Sequence, residues 1–194
     1  MFNVVSKDIS DSPLTDAGVE QARQRAKSLA GVKFAAVYSS DLLRAKNTAE
    51  IFALEHQLAV VTSDLLRERN HGRFEGKTAD EFNEELRDLL EYRLTLPDDN
   101  QHLFSFYEGY ETDDQVASRL ISILRQIAVA YPGKNVAVVS HSGSLRVLMR
   151  RFGYTKFLPA YKAKVHNTAY IVLESDGIEF TVTGTEGIEL GEDE

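Results

Sequence analysis

The chain has 194 residues, 43% apolar and 27% charged, with a net charge of −8 and no cysteine. This is the composition of a folded domain rather than a disordered or fibrous chain, and no run approaches the roughly 18 apolar residues of a membrane span. The acidic balance argues against a nucleic-acid partner, which needs a basic face, and the missing cysteines exclude disulfides and thiolate metal sites.

Taken in order, Pro13-Leu14-Thr15 opens a helix that Thr15 caps and Gly31 stops, with Ala22, Ala26 and Leu29 at helical spacing. Residues 34–38 read as a buried strand ending at Ser39-Ser40-Asp41, ahead of a helix over 42–55. A second strand is expected over 58–62, a charged helix over 78–96, and a turn-rich stretch over 97–111 that carries Phe104, Phe106, Tyr107 and Tyr110. Those aromatics fit either contact with an organic substrate group or a satellite core. Thr112 and Gln115 make a capping box for a helix reaching Ala130. Val136–Val139 is a buried strand that runs directly into a helix over 143–151. Residues 168–174 and 178–183 pair around an Asp176-Gly177 turn, and the acidic segment of about 185–194 reads as a frayed tail.

Short apolar strands alternating with helices predict one α/β domain spanning 1–194, a three-layer αβα sandwich with a mostly parallel sheet. Such sheets bind ligands beyond the carboxyl ends of their strands. That rule selects Ser39–Arg44 and Ser140–Gly143. His141 follows a buried strand, and the small residues Ser142, Gly143 and Ser144 enter a helix whose N-terminus favours an anion. This segment fits a phosphate donor and a satisfied core histidine equally. Arg44 stands on the first turn of its helix, where its planar fork suits two phosphate oxygens or an ordinary pair with Asp41 or Glu50. Glu68 lies among Arg67, Arg69, His71 and Arg73. A phosphate pocket beside it is expected to raise its pKa and keep it protonated as a general acid, the alternative being a solvated charge run. The five histidines are scattered without metal-ligand spacing, so neither metal nor cofactor is expected.

In sequence, Leu14-Thr15-Asp16-Ala17-Gly18, Ser39 to Ala45 with Thr48-Ala49-Glu50, Leu66-Arg67-Glu68, Gly109-Tyr110-Glu111-Thr112 and Ser140-His141-Ser142-Gly143 resemble the histidine phosphatase (phosphoglycerate-mutase-like) family over nearly the whole chain. The resemblance implies a phosphohistidine mechanism in which Glu68 is the acid, His141 a catalytic and phosphate-binding histidine, and Arg44, Asn3 and Ser142 further phosphate contacts. It implies a phosphomonoester hydrolase acting on a small phosphorylated metabolite, with a cap insertion over about 78–111. The absence of cysteine fits a cytoplasmic location, and neither nucleic acid nor membrane is expected as partner. Asn167-Thr168 also looks family-like and reads equally as a locally capped turn.

The family opens with Arg-His-Gly-Glu-Thr, two variable residues and Asn; Met1-Phe2-Asn3 match only the last three positions. The nucleophilic histidine and its strand, the first central strand of the sheet, are therefore expected to be missing, leaving this 194-residue chain inactive and marginally stable. The expectation is that Met1 is internal to a longer enzyme. The alternatives are a phosphate-binding pseudoenzyme, an interaction protein, or a mutase, and no feature fixes the oligomeric state.

Overall fold

The computed structural model describes residues 12–154 and 164–189. The first helix, α1 (Asp16–Ser28), starts where Thr15 accepts a hydrogen bond from the Gly18 amide at 3.1 Å, and it buries Ala22 and Ala26. Strand β1 (Phe34–Ser40) leads into α2 (Leu43–His56), whose buried residues Ala45, Ala49, Phe52 and Ala53 give a narrow face that sits close on the sheet. Strand β2 (Val60–Ser63) follows, then 3-10 turns at Asp64–Leu66 and Gly72–Phe74.

The segment expected as one helix over 78–96 is two, α3 (Ala79–Glu85) and α4 (Arg87–Thr95), and a short α5 (Asp98–Gln101) follows. The chain turns at Leu86, which leaves helical geometry (φ −107°, ψ 14°) to bury its side chain. No glycine or proline marks the break; burial drives it. Here Phe74, Leu86, Phe106 and Tyr110 form a small core with Phe82, Leu90, Phe104 and Tyr107 against it. The aromatics of 104–110 thus pack on one another and on His71, Phe74, Phe82 and Tyr92.

Helix α6 (Asp113–Ala130) carries the expected capping box, with Thr112 and Gln115 each accepting from the other's amide at 3.2 and 2.9 Å. Strand β3 (Asn135–Val139) and α7 (Ser142–Arg151) come next, then an antiparallel pair, β4 (Lys164–Ser175) and β5 (Phe180–Glu189). Residues 185–189 are therefore strand and not a frayed tail: backbone pairing with β4, such as Glu189 opposite Lys164, overrides their acidic composition. Residues 190–194 lie outside the described residues.

The parallel sheet runs β2-β1-β3, with Val37 opposite both Val60 and Ala137. Alternation along the strands sends Val37, Ala137 and Val139 toward α1 and α2, and Tyr38, Val136 and Val138 toward α6 and α7. These are the three layers expected. Val116, Leu120, Ile123, Leu124 and Ile127 of α6 are buried on the second face, each worth about 1.5–3 kcal/mol of apolar transfer. Among the described residues β4 and β5 form a sheet of their own, touching α1 and α7. The strand expected to be missing would precede Met1, and the described residues do not test that expectation. No helix among the described residues is long and apolar enough to cross a membrane.

Candidate active site

The carboxyl ends of β1 and β3 lie side by side, Ser39 opposite Val139. Their following residues therefore share one rim. Ser39 and Ser40 are fully buried there, and His141, at the N-cap position of α7, is also buried. Its Nε2 lies 2.9 Å from Ser40 Oγ, a contact between the two strand ends that sequence spacing had not shown. Ser140 Oγ donates to the Leu66 carbonyl at 2.8 Å, bringing the loop after β2 to the same place.

Glu68 sits on that loop, and its carboxylate points into the start of α7. Oε2 accepts from the Gly143 amide at 2.9 Å, and Oε1 from the amides of Ser144 at 2.9 Å and Arg69 at 3.0 Å. Ser144 Oγ is 3.2 Å from Oε1 and 3.0 Å from the Arg67 carbonyl, its single proton shared between them. The helix N-terminus expected to attract a phosphate holds a carboxylate of the protein instead, for the same physical reason: free amides and a positive dipole end.

This arrangement sets the ionisation of Glu68. Burial is the largest influence and pushes its pKa up, but the attraction of His141 and the amide donors of Arg69 and Gly143 outweigh it, and the carboxyl ends below its ordinary range. His141 is itself pushed down to about 4 by burial, with Glu68 opposing and Arg44 and Arg119 adding to the fall. The imidazole is thus neutral near pH 7, so the amides and the Arg69 charge are what keep Glu68 ionised there. Near pH 7 Glu68 is therefore a carboxylate and His141 a neutral imidazole.

Arg44 is half-buried on the first turn of α2, and its charge acts on His141. Asp41, one of the partners considered for Arg44, is gripped by Arg67 through two hydrogen bonds of 2.8 Å, which hold its carboxyl below the usual range. Ser142 opens α7 and is exposed. The structure therefore brings together Arg44, Glu68 and His141, places Ser142 beside His141 in the chain, and leaves Asn3 outside the described residues.

Reading by motif missed several neighbours. Arg146 is buried enough to lower its pKa, with Glu68 acting against that fall; it follows His141 by about one and a half helical turns. Arg119 of α6 wraps the loop that carries Glu68. Asp113, buried at the start of α6, gathers Arg69, Arg93 and Arg150. None stands in a recognisable motif.

Over residues 5–186 the chain matches the histidine phosphatase superfamily, branch 1. It is 30% identical over 140 residues to the uncharacterized phosphatase PhoE of Bacillus subtilis (strain 168), covering 72% of this chain and 64% of that protein. It is 34% identical over 143 residues to a metal-independent phosphoserine phosphatase of Arabidopsis thaliana, covering 73% and 58%. The chain thus spans less than two thirds of the length of these relatives. Among solved structures, Bacillus stearothermophilus YhfR superposes with a TM-score of 0.77 at 28% identity, over 93% of this chain and 87% of that one. The chain belongs to the histidine phosphatase superfamily.

Proposed function

We propose that this protein is a phosphomonoester hydrolase acting on a small phosphorylated metabolite, with Glu68 as the proton-transferring carboxyl and Arg44 and His141 as phosphate-binding groups. One observation supports this above the others: a guanidinium, a neutral imidazole and a carboxylate, from three distant stretches of chain, meet at one rim of the sheet. Phosphoryl transfer is mainly positioning plus stabilisation of charge on the equatorial oxygens, and this set suits it. The phosphatase names of PhoE and the Arabidopsis phosphoserine phosphatase point the same way.

In this reading the dianionic phosphate settles between Arg44 and His141, against Glu68. The added negative charge raises the Glu68 pKa, so the carboxyl takes up a proton as substrate binds. It gives that proton to the leaving oxygen as the phosphorus–oxygen bond breaks. In the longer product read from codons preceding Met1, the phosphoryl group passes to the histidine of the family's opening motif, a nitrogen–phosphorus bond forming as the ester bond breaks. Met1-Phe2-Asn3 match only the last three positions of that motif. Glu68, again ionised, then takes a proton from the water that releases phosphate.

Two measurements test the reading. Titration with inorganic phosphate, followed by NMR, is expected to move the His141 ring and Gly143 amide signals; unmoved signals at millimolar phosphate overturn the site. Phosphate release is then assayed on a panel of monoesters, with this chain and with the product read from any in-frame codons preceding Met1. Isomerisation of a phosphate ester without hydrolysis replaces the hydrolase by a mutase.

A further inference from the structure

We infer that Arg119 is a positioning residue for Glu68: from the second turn of α6 its guanidinium fills the loop 65–70 and fixes where the Glu68 carboxylate lies. All five of its N–H groups are used. Nη1 donates to the carbonyls of Leu65 at 2.9 Å and Arg67 at 2.7 Å, and Nη2 donates to the Glu68 carbonyl at 3.1 Å. Nε and Nη2 grip the Glu111 carboxylate at 2.6 and 3.0 Å. Glu111 is in turn fixed to the far side of the same loop, since its Oε2 accepts from the Asn70 amide and its own amide donates to the Asn70 carbonyl, both at 3.0 Å.

The loop has little regular structure beyond one 3-10 turn, so its carbonyls need partners from elsewhere. Ser140 and Ser144 supply two from the α7 side, at Leu66 and Arg67. Arg119 supplies three from the opposite side. Glu68 is thereby clamped between α6 and α7, its backbone held by one and its carboxylate by the other. A lysine offers three donors from one point and cannot span these acceptors.

The inference rests on the reading of Glu68 as the proton-transferring group, and its test keeps the two apart. The primary readout is the Glu68 carboxyl titration, followed by carbon-detected NMR in the wild type and in Arg119→Lys. The other charges that face Glu68, namely His141 and Arg146 from the α7 side and Arg69 and His71 from its own loop, are unchanged in the variant. Loosening the loop lengthens the amide contacts, so the midpoint is expected to rise by about one pH unit. With a working substrate, kcat is expected to fall roughly 10- to 100-fold with little change in KM. A folded Arg119→Lys protein whose Glu68 midpoint does not move overturns the positioning role. Absence of hydrolysis in every preparation overturns the hydrolase reading and leaves the midpoint to decide this one. Should Arg119→Lys not fold, Glu111→Gln keeps the carbonyl contacts while weakening the anchor; a smaller upward shift is expected, and an unmoved midpoint is equally fatal.

Discussion

The carboxylate of Glu68 meets Ser144 twice, at the amide (2.9 Å) and at the hydroxyl (3.2 Å). The amide is part of the backbone and survives any substitution; the hydroxyl does not. Ser144→Ala is therefore expected to cost about 1.5–3 kcal/mol, the worth of one hydrogen bond to a charged group. Urea unfolding at pH 7 measures it. A loss below a few tenths would show that neither hydroxyl contact, to Glu68 or to the Arg67 carbonyl, holds the loop.

Gly143 is small because Glu68 is there. A Cβ added at Gly143 would lie 2.6 Å from Glu68 Oε1 and 3.0 Å from its carboxyl carbon, closer than real contacts allow. Gly143→Ala must push the carboxylate off the helix N-terminus, while the backbone has no positive-φ demand for glycine at this position. On the proposed reading, and in whichever preparation hydrolyses a monoester, the expected result is a folded protein with roughly 100-fold lower kcat, the scale of a displacement of about 1 Å. A crystal structure of the variant with Glu68 unmoved would refute it.

Acid should destabilise the fold well before its carboxylates titrate. His141 and His71 are both pushed down to about 4, chiefly by burial, whereas in the unfolded chain they titrate near 6.5. Between those values the unfolded chain binds more protons, so stability is fully present above about 6.5 and is lost as pH falls toward 4. For His141 the full effect is on the order of 3 kcal/mol. The lowered carboxyls of Glu68 and Asp113 add a further loss below that window, as pH falls through their folded values. The urea midpoint is expected to drop between pH 7 and 4.5, and His71→Leu, which removes a ring whose Nδ1 is buried without a hydrogen-bond partner, should reduce the slope by about one proton. A flat profile over that range would contradict both histidine assignments.

How much of this was legible in sequence follows the range of the interactions. The Thr15 and Thr112 caps depend on residues three positions away and were readable. The layers were readable too, because buried strands such as Val136–Val139 are continuous apolar runs. Arg44, Glu68 and His141 came from motif likeness, and the structure gathers them. The ionisation of Glu68 was not readable: its donors Gly143 and Ser144 lie 75 and 76 positions away, and a charge run reveals nothing about amides on another element. Arg119 and Asp113 were hidden similarly, since a polar residue on an amphipathic helix looks solvated until its partners are known. Composition misled over 185–189, where pairing with Lys164–Ile171 turned an acidic, glycine-bearing stretch into strand.

Asp113 offers the most severe test of the architecture. Its carboxylate accepts from Arg69 on the loop of Glu68 and from Arg93 on α4 at 2.5 Å, and it lies 3.7 Å from Arg150 at the end of α7. Its side chain is only 11% exposed. Standing in the first turn of α6, it also complements the helix dipole. Three cations thus converge on one anion, tying α4 to the loop of Glu68 and to α7. Asp113→Asn keeps the volume and removes the charge, leaving guanidinium groups to repel one another in a desolvated space. The expected cost is about 3–5 kcal/mol, the usual penalty for breaking a buried ion pair from one side. Because Arg93 carries the tie to α4, amide exchange over α3–α5 should accelerate more than exchange in β1 or β3. Uniform acceleration would mean that Asp113 supports the domain as a whole, and a change under 1 kcal/mol would mean that the arginines were never held by it.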